Sequence, residues 1–142
     1  MPQNLGVMIL AAGQGKRMRS ALPKVLHEIG GKPLIFHILS RVQAVASKAS
    51  IAIVVGHDRE KVESAIRGNP PFSDSKISFV HQPEQRGTGH AARFAMESSW
   101  GQQMVKSKAQ VLVLPGDLPL ITSSLVEQML QPLGKMEALR LM

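Results

Sequence analysis

The chain has 142 residues, a formal net charge of +7, 44% hydrophobic residues and no cysteine. That length is one domain able to bury roughly two-thirds of its unfolded surface, and no apolar run approaches the roughly 18 residues of a membrane span. Disulfides and thiolate metal sites are excluded, and the N-terminal apolar stretch lacks the basic flank and length of a secretory leader. The expectation is therefore one cytoplasmic domain over residues 1–142 with no membrane contact.

The first predicted element is a strand over Leu5–Ala12, where Val7, Met8, Ile9 and Leu10 form the continuous apolar run of a strand buried on both faces. A helix over Pro33–Val45 places Leu34, Ile38, Leu39 and Val42 on one face. The second strand, Ser50–Val55, leads to a helix over Arg59–Ile66 carrying Val62, Ala65 and Ile66, and residues 68–75 read as a loop from their Gly, Asn, Pro and Ser content. A third strand, Lys76–Val80, a helix over Gly89–Met96 and a fourth strand, Gln110–Leu114, complete the alternation. Strands alternating with helices predict an α/β fold with a Rossmann-like, doubly wound, mainly parallel sheet. With strand order 3-2-1-4, the first and fourth strands become neighbours at a switch point, where such sheets bind ligands beyond their carboxyl ends.

Three segments carry chemistry. After the first strand, A-A-G-Q-G-K-R-M opens into small residues and the cations Lys16, Arg17, Arg19 and Lys24, with no acid among them. Backbone N–H groups of such a turn can converge on an anion, whereas the plainer reading is a tight turn on a solvated basic face. The run lacks both the third glycine of a dinucleotide fold and the Lys-Ser/Thr of a P-loop, which demotes NAD and Walker-type ATP binding. After the fourth strand, Pro115-Gly116-Asp117 sets a carboxylate at a strand end. It suits Mg2+ shared with substrate phosphates or, more plainly, the cap of a turn. After the third strand, Gln82-Pro83-Glu84-Gln85-Arg86-Gly87-Thr88-Gly89-His90-Ala91 offers an amide whose donor and acceptor can match the N3–H and a carbonyl of uracil, with backbone at Gly87-Thr88 placed to close over the base. Its alternative is loop chemistry with a Thr-type helix cap. His57, His81 and His90 read as ordinary loop or helix residues, and Met8, Met18, Met96, Met104 and Met129 as packing residues. With no Tyr, one Trp and four scattered Phe, base stacking is poorly supplied, so no nucleic-acid partner is expected.

In this order, L-A-A-G-Q-G-K-R-M with L-P-K-V-L-H, Q-P-E-Q-R-G-T-G-H-A and P-G-D-L-P-L resemble the sugar-nucleotide pyrophosphorylases. The resemblance is nearest to the N-terminal uridyltransferase half of the bacterial bifunctional N-acetylglucosamine-1-phosphate uridyltransferase/glucosamine-1-phosphate acetyltransferases, over residues 5 to about 130. It implies the N-terminal portion of a nucleotide-diphospho-sugar transferase fold. It also implies Mg2+-assisted synthesis of UDP-N-acetylglucosamine and pyrophosphate from UTP and N-acetylglucosamine 1-phosphate, feeding peptidoglycan and lipopolysaccharide synthesis. By matching position, Leu10, Ala11, Ala12 and Gly13 would hold the nucleotide, and Arg17 and Lys24 would contact phosphates as the catalytic cations. Gln82, Gly87 and Thr88 would read uracil. Pro115, Gly116 and Asp117 would approach ribose, sugar and Mg2+, with Asp117 as the metal ligand; Pro115 stands where close relatives often carry an aromatic residue.

Members of that family continue into sugar-binding residues, a second metal ligand and a separate acetyltransferase β-helix. The expectation is thus a nucleotide-binding portion that keeps nucleotide affinity with weak or no turnover, and a sheet edge open to self-association. Two alternatives stay open: a cytidylyl- or guanylyltransferase of the same fold, and a non-catalytic interaction or regulatory module.

Overall fold

A computed structural model describes residues 5–12, 23–56, 58–69, 77–84 and 86–116, together with Phe72, Ser124 and Gln128. The strands are β1 (Leu5–Leu10), β2 (Glu28–Ile29), β3 (Lys32–Pro33), β4 (Ser50–Val55), β5 (Ile77–His81) and β6 (Gln110–Pro115). The α-helices are α1 (Leu34–Val45), α2 (Arg59–Arg67), α3 (Thr88–Glu97) and α4 (Ser99–Lys106), and a 3-10 turn spans Lys24–Leu26. Among the described residues, β5, β4, β1 and β6 lie side by side in that order, with every neighbouring pair parallel.

Both faces of this sheet are covered, as the uninterrupted apolar strands require. The two-residue side-chain period divides them. Val7 and Ile9 of β1, with Ile51, Ile53 and Val55 of β4, pack with Ile35, Ile38, Leu39 and Val42 of α1 and Val62 and Ile66 of α2. Met8, Ala52 and Val54 turn the other way, onto Ala91 and Ala95 of α3 and Trp100 and Met104 of α4. Helices thus lie on opposite faces on the two sides of β1, and the strand order reverses between β1 and β6.

Three local elements escaped the sequence reading. The β2–β3 hairpin pairs Ile29 with Lys32 around Gly30 and Gly31, whose φ values are +63° and +80°. Two central residues at positive φ make the two-residue turn that glycine favours, and His37 Nε2 of α1 donates to the Ile29 carbonyl at 2.7 Å. Helix α4 begins at Ser98, whose Oγ accepts from the Gly101 N–H at 3.4 Å. Its large buried side chains are Trp100 and Met104, and the Trp100 Nε1–H donates to Ser50 Oγ at 3.0 Å. Within the expected loop 68–75, Phe72 is buried edge-to-face on Phe36, with ring centroids 5.2 Å apart. Residues 70, 71 and 73–76 lie outside the described set. Among the described residues no helix is long and apolar enough to cross a membrane.

Ile53 is fully buried on the central strand pair, whereas Val113 on β6 is 42% exposed. Ile53→Ala is expected to cost about 2–5 kcal/mol and Val113→Ala less than about 0.5 kcal/mol, read by denaturant unfolding of the two variants side by side.

Candidate active site at the carboxyl edge of the sheet

Three main-chain hydrogen bonds run along the carboxyl edge. The Gly116 N–H donates to the Leu10 carbonyl at 2.9 Å, the Ala11 N–H to Val54 at 2.8 Å, and the Gln82 N–H to Val55 at 2.8 Å. They join the ends of β6, β1, β4 and β5 across three strand spacings, about 14 Å. Leu10 also lies in register with Pro115, so the segments that follow the first and fourth predicted strands, about a hundred residues apart in sequence, meet directly.

Gly116 sits where only glycine fits. A Cβ built there would stand 2.8 Å from the Leu10 carbonyl oxygen, 3.1 Å from Val25 Cγ1 and 3.4 Å from Ala11 Cα. Val25 belongs to the turn that carries Lys24: Pro23 holds φ −55° at its start, and Val25 and Leu26 are buried while Lys24 is half-buried. Two apolar neighbours thereby seat the Lys24 backbone in the core beside the point where β1 and β6 end. Ala11 and Ala12, expected inside the first strand, are buried just beyond it, and Pro115, expected after the fourth strand, is its exposed last residue. Leu10, Ala11, Ala12, Lys24, Pro115 and Gly116 are therefore one neighbourhood. Gly13, Arg17 and Asp117 lie outside the described residues, as do His57, Met18 and Met129.

At the other end of the edge, Gln82 is 2% exposed and is the buried polar residue of the described set. Its Nε2 lies 2.7 Å from His90 Nδ1. One group of the amide expected to meet a base is thus engaged within the protein, and His90, on α3, is its partner. No periodicity or motif signals a hydrogen bond that spans a loop. Gly87, at φ +97° and ψ 175°, is the N-cap of α3, and Thr88 is its exposed first residue; the Thr-type cap is not formed. Glu84 and Arg86 pair at 2.7 Å in solvent, a contact worth about 0–1 kcal/mol.

A cleft of about 430 Å³ adjoins the β5 end of this row, lined by Asp58, Arg59, Glu60, Lys61, His81 and Pro83. Its two carboxylates stand beside its two cations, so it offers a phosphate no excess of positive charge. Among the described residues, no group of three or more His, Asp or Glu side chains is placed to hold a metal.

Two glycine variants separate space from backbone conformation. Gly116→Ala, which meets a carbonyl, is expected to cost about 1–3 kcal/mol through overpacking. Gly87→Ala has open space around its Cβ and is expected to cost about 1–3 kcal/mol through its φ/ψ alone. Melting temperatures of both variants check this; wild-type stability in Gly116→Ala would deny the close approach.

A bifunctional protein GlmU of Stutzerimonas stutzeri (strain A1501) is 40% identical over 131 residues, 92% of this chain and 26% of the relative. Another, from Xanthomonas oryzae pv. oryzae (strain MAFF 311018), is 43% identical over 136 residues, 95% and 27%. The chain thus spans about a quarter of the length of the curated relatives it matches. The 4-diphosphocytidyl-2C-methyl-D-erythritol synthase structure of Anaerococcus prevotii DSM 20548 shares the fold, with a TM-score of 0.63 at 22% identity over 96% of this chain and 51% of that one. The family model for the MobA-like NTP transferase domain matches residues 7–139, and with its signature ends joined in register on a parallel sheet, the chain belongs to that nucleotidyltransferase family.

Proposed function

We propose that this domain binds UTP and serves the transfer of its uridylyl group to N-acetylglucosamine 1-phosphate, giving UDP-N-acetylglucosamine and pyrophosphate. The observation that carries the reading is the Gly116–Leu10 hydrogen bond at 2.9 Å with no room for a Cβ. It unites the two segments expected to hold nucleotide and sugar at the switch point of a doubly wound sheet, where such folds take ligands. Relatives 40–43% identical over nine-tenths of the chain support it.

The chemistry needs no histidine base and no covalent nucleophile. The sugar phosphate is already an anion, and one of its oxygens forms a bond to the α-phosphorus of UTP while the bond to the departing pyrophosphate breaks in line. The protein's part is orientation and charge stabilisation. Arg17 and Lys24 are assigned to the transferring and departing phosphates, and unit charges in contact at an effective dielectric near 20 attract by about 4 kcal/mol. Main chain at Leu10, Ala11, Ala12 and Gly13 lines the nucleotide, Gly116 permits close approach of ribose and sugar, and Gln82, Gly87 and Thr88 meet the base. Mg2+ is assigned to Asp117, the residue after Gly116, together with substrate phosphates. When bound, it supplies Lewis-acid polarisation and a template. The product would feed peptidoglycan and lipopolysaccharide synthesis in the cytoplasm.

Thermal unfolding with Mg2+ and each of UTP, CTP, GTP and ATP tests the assignment, since ligand at about 100 times its Kd adds about 2.7 kcal/mol. A shift led by UTP is expected. One led by CTP or GTP would assign a different base, and none with any nucleotide would leave a non-catalytic module. Lys24→Ala and Asp117→Ala are each expected to lower transfer by roughly 100-fold or more, the scale of losing one transition-state donor. The measurement is uridylyl transfer in a full-length relative carrying the same change, and wild-type turnover would remove the role assigned.

A further inference from the structure

We infer that His90 is a positioning residue for base selection: its Nδ1 holds the Gln82 amide in one of two orientations and thereby fixes which group Gln82 turns toward a pyrimidine. The inference rests on the reading that Gln82 meets the base. An amide nitrogen can only donate, so at 2.7 Å His90 Nδ1 accepts and the ring proton sits on Nε2. Turning the amide over would set Oε1 against the Nδ1 lone pair, acceptor against acceptor, unless the ring proton moved from Nε2 to Nδ1 with it, in a residue only 2% exposed. Loss of a hydrogen bond by a buried amide is strongly disfavoured.

Both partners are anchored. The Gln82 main chain is tied to β4 by its N–H on the Val55 carbonyl at 2.8 Å. The His90 ring stands edge-to-face on Phe94, one turn further along α3, with centroids 5.4 Å apart and planes at 67°. The remaining capacity of the amide is Oε1 and the second N–H, in fixed directions. Uracil offers a donor at N3 between two carbonyl acceptors, whereas cytosine offers an acceptor at N3 beside an amino donor. A locked amide therefore prefers one of these bases, and a freely turning amide serves either. His90 consequently sets selectivity more than affinity.

The test titrates UTP and CTP, with Mg2+, into the full 142-residue chain and its Gln82→Ala, His90→Phe and His90→Asn variants. The wild type is expected to prefer UTP, and Gln82→Ala to lose that preference. His90→Phe keeps an aromatic ring without its acceptor and is expected to lower the UTP/CTP affinity ratio about tenfold, with a lowered melting temperature because the buried amide loses its partner. His90→Asn, whose Oδ1 can accept from Gln82, is expected to restore part of the ratio. A wild-type ratio in His90→Phe, where Gln82→Ala has lost it, overturns the positioning role and leaves the base-reading role intact. Equal wild-type affinity for UTP and CTP, or a wild-type ratio in Gln82→Ala, overturns both. Should His90→Phe fail to fold, nitrogen NMR of the wild-type imidazole decides: a proton on Nε2 supports the inference, and a proton on Nδ1 overturns it.

Discussion

Everything in this molecule hangs on β1 being enclosed on four sides. Val7, Met8 and Ile9 are at most 1% exposed, alternate residues enter opposite cores, and β4 and β6 take the hydrogen bonds of both edges. A fully buried aliphatic side chain contributes about 1.5–3 kcal/mol, and such residues follow one another here without a break. The strand can meet a ligand only where it ends. Even there the Leu10 carbonyl and the Ala11 N–H are taken by Gly116 and Val54, so the edge that faces a substrate inherits the stiffness of the core beneath it.

The larger elements were legible in the sequence because each is governed by one strong periodicity. The apolar runs 7–10 and 51–55 admit only a strand with both faces covered, and Leu34, Ile38, Leu39 and Val42 admit only a helix with one face covered. Where two weak signals had to be combined, the reading fell short. Helix α4 has a serine-rich entry, a glycine in its first turn and just two large buried side chains, too few to mark a period. The hairpin at Gly30 and Gly31 announces its turn plainly, but strands of two residues carry no alternation. Phe72 lies among turn residues and still enters the core, because an aromatic ring can be buried from a segment that buries little else.

For the candidate site the division is between main chain and side chain. Glycines, strand ends and a proline-led turn declare where backbone comes close, and Leu10, Ala11, Ala12, Lys24 and Gly116 do come together. What a side chain does there depends on its partner across space. Gln82 was legible as an amide with two kinds of hydrogen-bonding group, yet its engagement by His90 depends on how α3 docks against the ends of β4 and β5. Seven intervening residues, one of them a glycine at positive φ, set that docking, and residue types alone leave it undetermined.

The stitches along the carboxyl edge are all peptide groups. Point substitution changes side chains and leaves amides and carbonyls in place, so an edge built this way is inherited with the fold and not with any particular residue, glycine at Gly116 excepted. Divergence can then be spent almost entirely on the few side chains that reach over the edge. A synthase sharing only 22% of its residues with this chain can retain the same sheet, and the identity of the ligand becomes the most easily altered property of an otherwise conservative frame.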